Sequence, residues 1–192
     1  MAKVIAVNGS PRYQGNTYVM LNIILEKLKK YGHQVELINI ANKKINGCVA
    51  CYKCADRKNK KCAIENDMIN ECIEKLTQSD AIILGSPTYF ADVTSDMKAF
   101  IDRCGFVCRA NGDLLKRKLG AAVVSVRRGG AIHTFDTLNH FFTIAQMIVV
   151  GSCYWNIGIG RAPGDVVNDS EGIATMETLA ENINWLLDKI SN

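Results

Sequence analysis

Five short apolar runs punctuate the chain, and each is followed by a segment with helical spacing. The runs are Val4-Ile5-Ala6-Val7, Val35-Glu36-Leu37-Ile38-Asn39-Ile40, Ala81-Ile82-Ile83-Leu84, Ala121-Ala122-Val123-Val124-Ser125-Val126 and Met147-Ile148-Val149-Val150. Mostly continuous rather than alternating, they predict strands of a parallel sheet covered on both faces. Met20, Ile23, Ile24 and Leu28 form one face of a first helix. Ile69, Ile73 and Leu76 form a second, with Asn66 or Asp67 as its cap, and Met97, Phe100 and Ile101 a third. A fourth falls around 134–144. The last carries Ile173, Met176, Leu179, Ala180, Ile183, Leu187 and Ile190, with Ser170 as cap and Glu171 in its first turn. Strand–helix repeated five times predicts a doubly wound α/β fold in three layers, with a five-stranded parallel sheet in the order 2-1-3-4-5. One domain over 1–192 is expected, interrupted by an irregular insertion at about 42–65.

Composition narrows the class. Of 192 residues, 48% are hydrophobic and 22% charged, which excludes a disordered chain. No apolar run reaches the roughly 20 residues of a membrane span, and Met1-Ala2-Lys3 leads straight into the first strand. A cytoplasmic protein with no membrane partner is expected. The net charge is +4, yet the stretch from Lys43 to Lys61 holds seven basic residues against Asp56 alone. Positive charge is a property of one loop, with no aromatic platform interleaved, so a nucleic-acid partner is not expected.

The candidate chemistry lies at the strand ends. The first strand runs into Asn8-Gly9-Ser10-Pro11-Arg12-Tyr13-Gln14-Gly15-Asn16-Thr17, and a helix follows. Small and hydroxyl residues at a helix N-terminus form an anion site, with Ser10, Asn16 and Thr17 as side-chain donors and Arg12 as added charge. Asn16-Thr17 stands where a Walker loop would need Lys-Ser or Lys-Thr, which argues against ATP and GTP chemistry. The third strand ends in Ser86-Pro87-Thr88-Tyr89-Phe90, whose aromatic pair can pack beside a flat ring. The fourth ends in Arg127-Arg128-Gly129-Gly130, where glycines allow close backbone approach and the arginines supply positive charge. Loops after strand C-terminal ends converge on one face. A phosphate site, aromatics and glycines together fit a mononucleotide with a flat ring, and FMN is the natural candidate. A phospho-receiver would need carboxylates where Asn8 and Ser86 stand.

A second group is Cys48-x2-Cys51-x2-Cys54-x7-Cys62. Three cysteines at this spacing surround one centre, and the fourth can fold back. A [4Fe–4S] cluster uses such a run, zinc sites more often use two separated pairs, and free redox-active thiols are the third reading. Cys72, Cys104 and Cys153 sit in apolar patterns and read as core, with Cys108 facing the same way as Cys104. His133 reads as a polar loop residue within reach of a ligand. Gly158-Ile159-Gly160 fails as a dinucleotide fingerprint because Pro163 replaces its third glycine. Tyr154 and Trp155 are placed to reach the ring pocket or a partner subunit.

Taken together, Gly9-Ser10-Pro11-Arg12 with Gly15-Asn16-Thr17, the cysteine run, Asn66-Asp67-Met68 and Ser86 to Phe90 resemble the NAD(P)H-dependent FMN reductase group of flavodoxin-like proteins, in particular its iron–sulfur flavoprotein branch. Further likeness extends over Arg127–His133, Ser152–Asn156 and Gly164–Val166. The resemblance implies non-covalent FMN, with phosphate on Ser10 to Thr17 and the ring near Pro87, Thr88, Tyr89, Phe90, Arg127, Gly129 and Gly130. It also implies a homodimer or homotetramer. Two functions follow from it. In one, NAD(P)H reduces FMN, which passes electrons to a quinone, flavin, metal ion or oxygen, with no side chain required as acid or base. In the other, a ferredoxin-like partner delivers single electrons through a cluster on Cys48, Cys51, Cys54 and Cys62 to FMN.

Overall fold

The computed structural model describes residues 1–190. β1 (Lys3–Asn8), β2 (Gln34–Asn39), β3 (Ala81–Pro87) and β4 (Leu119–Val126) form a parallel sheet in the order β2-β1-β3-β4. The fifth position is filled twice. β5 (Ile148–Val149) pairs with Leu119 and Gly120 at the start of β4, and β6 (Ile157–Ile159) pairs with Val124–Val126 at its end. The single fifth strand expected over 147–150 is therefore two parallel pieces in one position, and residues 150–156 loop out between them.

Alternation along the strands sorts the core into two layers. Val4, Ala6, Ile83, Ala121 and Val123 face α1 (Asn16–Lys30) and α6 (Ser170–Ile190). Ile5, Val7, Ile82, Leu84, Ala122 and Val124 face α3 (Ile69–Thr77), α4 (Ser95–Ala110) and α5 (Ala131–Ile144). Successive residues point to opposite faces of a strand, so continuous apolar runs are what two covered faces require. Gly120 lets α5 approach, since a Cβ there would stand 2.5 Å from Phe142 Cδ1.

One helix start differs from expectation outright, and at α3 the residue before the helix is Met68, one position beyond the expected Asn66 or Asp67. Asp169, not Ser170, caps α6: its Oδ1 accepts from Gly172 N at 3.0 Å, while Oδ2 accepts from Ile159 N at 2.7 Å. Asp67 accepts from Ile69 N at 3.2 Å through one oxygen and gives the other to Arg103, so it joins helix and ion pair. The insertion contains one short helix, α2 (Lys53–Arg57).

Candidate functional site

The β1–α1 turn is fixed by its own side chains. Asn8 Oδ1 accepts from Ser10 N at 3.0 Å, and Asn8 Nδ2 donates to Asn39 Oδ1 at 2.8 Å. Gly9 is held by necessity, because a Cβ would lie 2.9 Å from Met97 Cε and 3.3 Å from Gly85 O. Thr94 Oγ1 donates to Gly9 O at 2.7 Å and accepts from Met97 N at 3.3 Å, tying this turn to the start of α4.

α1 begins after Gly15 with no side-chain cap and no acidic residue in its first turn. Its leading N–H groups and the positive end of its dipole therefore face an open cleft. Ser10, Arg12 and Asn16 line that cleft on one side. Pro87, Thr88 and Tyr89 line the β3 side, and Ser125, Val126 and Arg127 the β4 side. The cleft encloses about 220 Å³ and is open to solvent at its mouth. Three arginines and no carboxylate line it, so its charge suits a phosphate.

Several residues expected at this site are placed elsewhere. Thr17 is fully buried, and its hydroxyl shares a 2.8 Å hydrogen bond with Ser125 Oγ. Its side chain braces α1 against β4 instead of lining the cleft. Phe90 projects wholly into solvent. It occupies, with Ala91, the centre of a tight turn closed by Tyr89 N to Asp92 O at 2.7 Å and Asp92 N to Tyr89 O at 3.0 Å. Both central residues are left-handed, with φ 44° and 69°; non-glycine residues held there store strain that clusters at functional sites. Gly15, Gly129 and Gly130 are not part of the lining either. Gly130 precedes α5 with φ 86°, a conformation suited to glycine. His133 sits 3.6 Å from Asp92 at the surface, beside a separate groove between α4 and α5 rather than in the cleft.

Two lining residues, Gly160 and Arg161, come from beyond β6. Arg12 Nη1 donates to Arg161 O at 3.0 Å, joining the two sides of the mouth. Gly160 sits close to Asn16: a Cβ on it would lie 2.6 Å from Asn16 Nδ2 and 2.8 Å from Val166 N. The sequence signal was the second glycine of Gly158-Ile159-Gly160, whose role is close packing on α1 rather than a nucleotide fingerprint.

The four cysteines of the insertion gather around one small hollow against α4, together with Arg103, Phe106 and Val107. Asn111 Nδ2 donates to Cys54 O at 3.2 Å, Cys62 N donates to Asn70 Oδ1 at 2.7 Å, and Arg103 Nε donates to Cys62 Sγ at 3.3 Å. Burial pushes the Cys54 thiol up, and charge on Cys62 and Cys51 adds to the effect. Ala50 and Tyr52, on either side of Cys51, hold φ of 50° and 56°, and Tyr52 packs edge-on to Phe106 at 5.6 Å. Among the described residues, no three Cys, His, Asp or Glu side chains converge tightly enough for a single metal ion. Cys72, Cys104 and Cys108 are buried as expected, but Cys153 is exposed, since the chain leaves the sheet after Val149.

Among the described residues no helix is long and apolar enough to cross a membrane. Residues 2–162 match the family model for NADPH-dependent FMN reductase. An iron-sulfur flavoprotein of Methanocaldococcus jannaschii is 37% identical over 188 residues, covering 94% of this chain and 95% of the relative. An iron-sulfur flavoprotein of Methanosarcina thermophila is 32% identical over 190 residues, covering 98% and 96%. In structure, the apo form of an NADH:FMN oxidoreductase superposes with a TM-score of 0.67 at 15% identity, over 97% of this chain and 90% of that one. Flavodoxin-like in fold and carrying the family's sequence over most of its length, the chain belongs to the NADPH-dependent FMN reductase family of flavin-dependent oxidoreductases.

Proposed function

We propose that this protein is an iron–sulfur flavoprotein that moves electrons between a [4Fe–4S] cluster on Cys48, Cys51, Cys54 and Cys62 and FMN in the strand-end cleft. The observation that carries the reading is the gathering of all four cysteines around one hollow. A four-iron cluster gives each thiolate its own iron, whereas zinc needs its sulfurs about 2.3 Å from one ion. The donor set of four thiols around one hollow suits a cluster, and left-handed Ala50 and Tyr52 flank Cys51 in a conformation found in the backbone nests that bind anionic centres.

FMN, when bound, supplies the two-electron and one-electron redox chemistry. The chain's own residues bind and orient it. The N–H groups opening α1, with Ser10, Asn16 and Arg12, hold the phosphate. Pro87, Thr88 and Tyr89 form one wall for the ring, and Arg127 offsets negative charge that builds on the ring during reduction. The net positive insertion steers an acidic, ferredoxin-like donor to the cluster. Exposed Ile148, Val149 and Ile159 along the β5–β6 edge, with Tyr154 and Trp155 in the loop between and Ile144 at the end of α5, support a homodimer or homotetramer.

A second reading rests on the family model: NAD(P)H donates to FMN directly and the cysteines are dispensable. Anaerobically purified protein separates the two. Flavin absorption over a broad shoulder that bleaches on reduction, with four irons per chain, supports the cluster. Cys51→Ala should lose the iron, retain FMN and lose ferredoxin-driven reduction. Fast NAD(P)H turnover that survives Cys51→Ala would reject the electron carrier.

A further inference from the structure

Arg103 is among the largest side chains fully enclosed in the protein, with 1% of its surface exposed. A buried guanidinium is costly unless every donor is matched. Here the matching partners nearly all come from the insertion. Nη1 donates to Asn46 O at 3.1 Å and is paired with Asp67, Nη2 donates to Ile64 O at 2.9 Å, and Nε donates to Cys62 Sγ at 3.3 Å. Asp67 is as buried as its partner, with 1% of its side chain exposed. Burial works against both charges, and their contact keeps the arginine raised and the carboxylate lowered from their ordinary values. Burial of this kind calls for a reason, since an apolar residue of similar volume is often as stabilising.

We propose that Arg103 is the positioning residue of the cysteine hollow and sets the reduction potential of the cluster bound there, by donating an N–H hydrogen bond to the sulfur of Cys62. This rests on the cluster reading above. Its backbone contacts at Asn46 and Ile64 anchor the chain before and after the run, so Cys62 folds back toward the other three cysteines. Its positive charge stabilises the additional electron that a reduced cluster carries. Hydrogen bonds to ligand sulfurs and local charge are established determinants of cluster potential. Asp67 opposes the arginine's charge and holds its orientation, so the two residues act on the potential in opposite directions.

The test uses the holoprotein purified without oxygen, with iron and sulfide counted per chain and the cluster titrated by electron paramagnetic resonance. Arg103→Gln, with iron content retained, should make reduction about tenfold less favourable, a midpoint about 59 mV lower for one electron. Asp67→Asn leaves the arginine beside Cys62 with its charge unopposed and should raise the midpoint. A residue that only braced the loop would, when replaced, admit water to the cluster in both variants and shift both midpoints upward. Two upward shifts, or none, would overturn the assignment while leaving the cluster in place. Should Arg103→Gln fail to fold, a midpoint in Asp67→Asn at or below that of the unsubstituted protein overturns it independently. Unsubstituted protein that takes up no iron, even on anaerobic reconstitution, removes the cluster reading and this inference with it.

Discussion

Replacing Gly160 with alanine isolates the packing on which the cleft depends. The added methyl would lie 2.6 Å from Asn16 Nδ2, 3.0 Å from Asn16 Cγ and 2.8 Å from Val166 N. One of these neighbours is backbone, so rotation of a single side chain cannot relieve the contact. The methyl also wedges into the bond from Val166 N to Asn16 Oδ1, now 3.2 Å. Overpacking costs about 1–3 kcal/mol and a lost buried hydrogen bond about 1 kcal/mol, together roughly 2–4 kcal/mol. For a chain of this size that lowers the melting temperature by roughly 4–16 °C. Asn16 is also the first residue of α1, so the displacement moves the proposed phosphate site. Gly129→Ala is the matched control: its Cβ would meet nothing within 4 Å, and a change within about 0.5 kcal/mol is expected. The assays are thermal and urea unfolding of the flavin-free protein, then titration of FMN by quenching of its fluorescence. Gly160→Ala should lose both stability and FMN affinity, and Gly129→Ala neither. If the two variants unfold together and bind FMN equally, the packing argument is wrong.

Three further outcomes follow from the same geometry. Ser10→Asp, which sets a carboxylate against the phosphate, should weaken FMN binding at least tenfold; an unchanged titration would move the phosphate elsewhere. Thr17→Val breaks the buried bond to Ser125 and should cost about 1–3 kcal/mol in urea unfolding, yet leave FMN affinity unchanged, because the hydroxyl faces β4; selective loss of FMN would return Thr17 to the ligand. Burial pushes the thiols of Cys72 and Cys108 up to about 12. The folded state thus holds protons that the unfolded state releases near pH 9. Stability from these groups is complete below pH 9 and falls as pH rises toward 12, by at most about 1.4 kcal/mol per unit for each thiol. Unfolding midpoints between pH 8 and 11 check the slope, and a midpoint that rises with pH would contradict it.

The strands and helices were legible because local pattern and tertiary role agree: apolar runs became strands with two covered faces, and helical stripes became the layers above and below. The strand-end loops were legible for the same reason, since topology alone brings them to one face. What escaped was set by contacts distant in sequence. Thr17 reads as a ligand donor until Ser125, 108 residues away, claims its hydroxyl. Gly160 reads as a failed motif until Asn16 is found against it. Arg103 sits among apolar residues of α4, and nothing in that helix reveals that its partners are Asp67 and Cys62. Cys153 lies in an apolar pattern that reads as core, yet it falls in the loop between β5 and β6 and is exposed.

The divided fifth strand bears on how this scaffold can change. β6 closes the outer side of β4 where Ser125 and Val126 meet the cleft, and β5 closes it at the opposite end. Each piece is aligned by its own hydrogen bonds, Ile148 N to Lys118 O and Val150 N to Gly120 O at one end, Val124 N to Asn156 O and Gly160 N to Val126 O at the other. Residues 151–155, between these bonds, make no ladder hydrogen bond to β4. The length and sequence of 151–155 are therefore set by contacts outside the sheet, such as Asn182 Nδ2 to Gly151 O at 2.9 Å, so the two ends of the fifth position answer to different constraints and a change in that loop reaches the cleft only through Asn156.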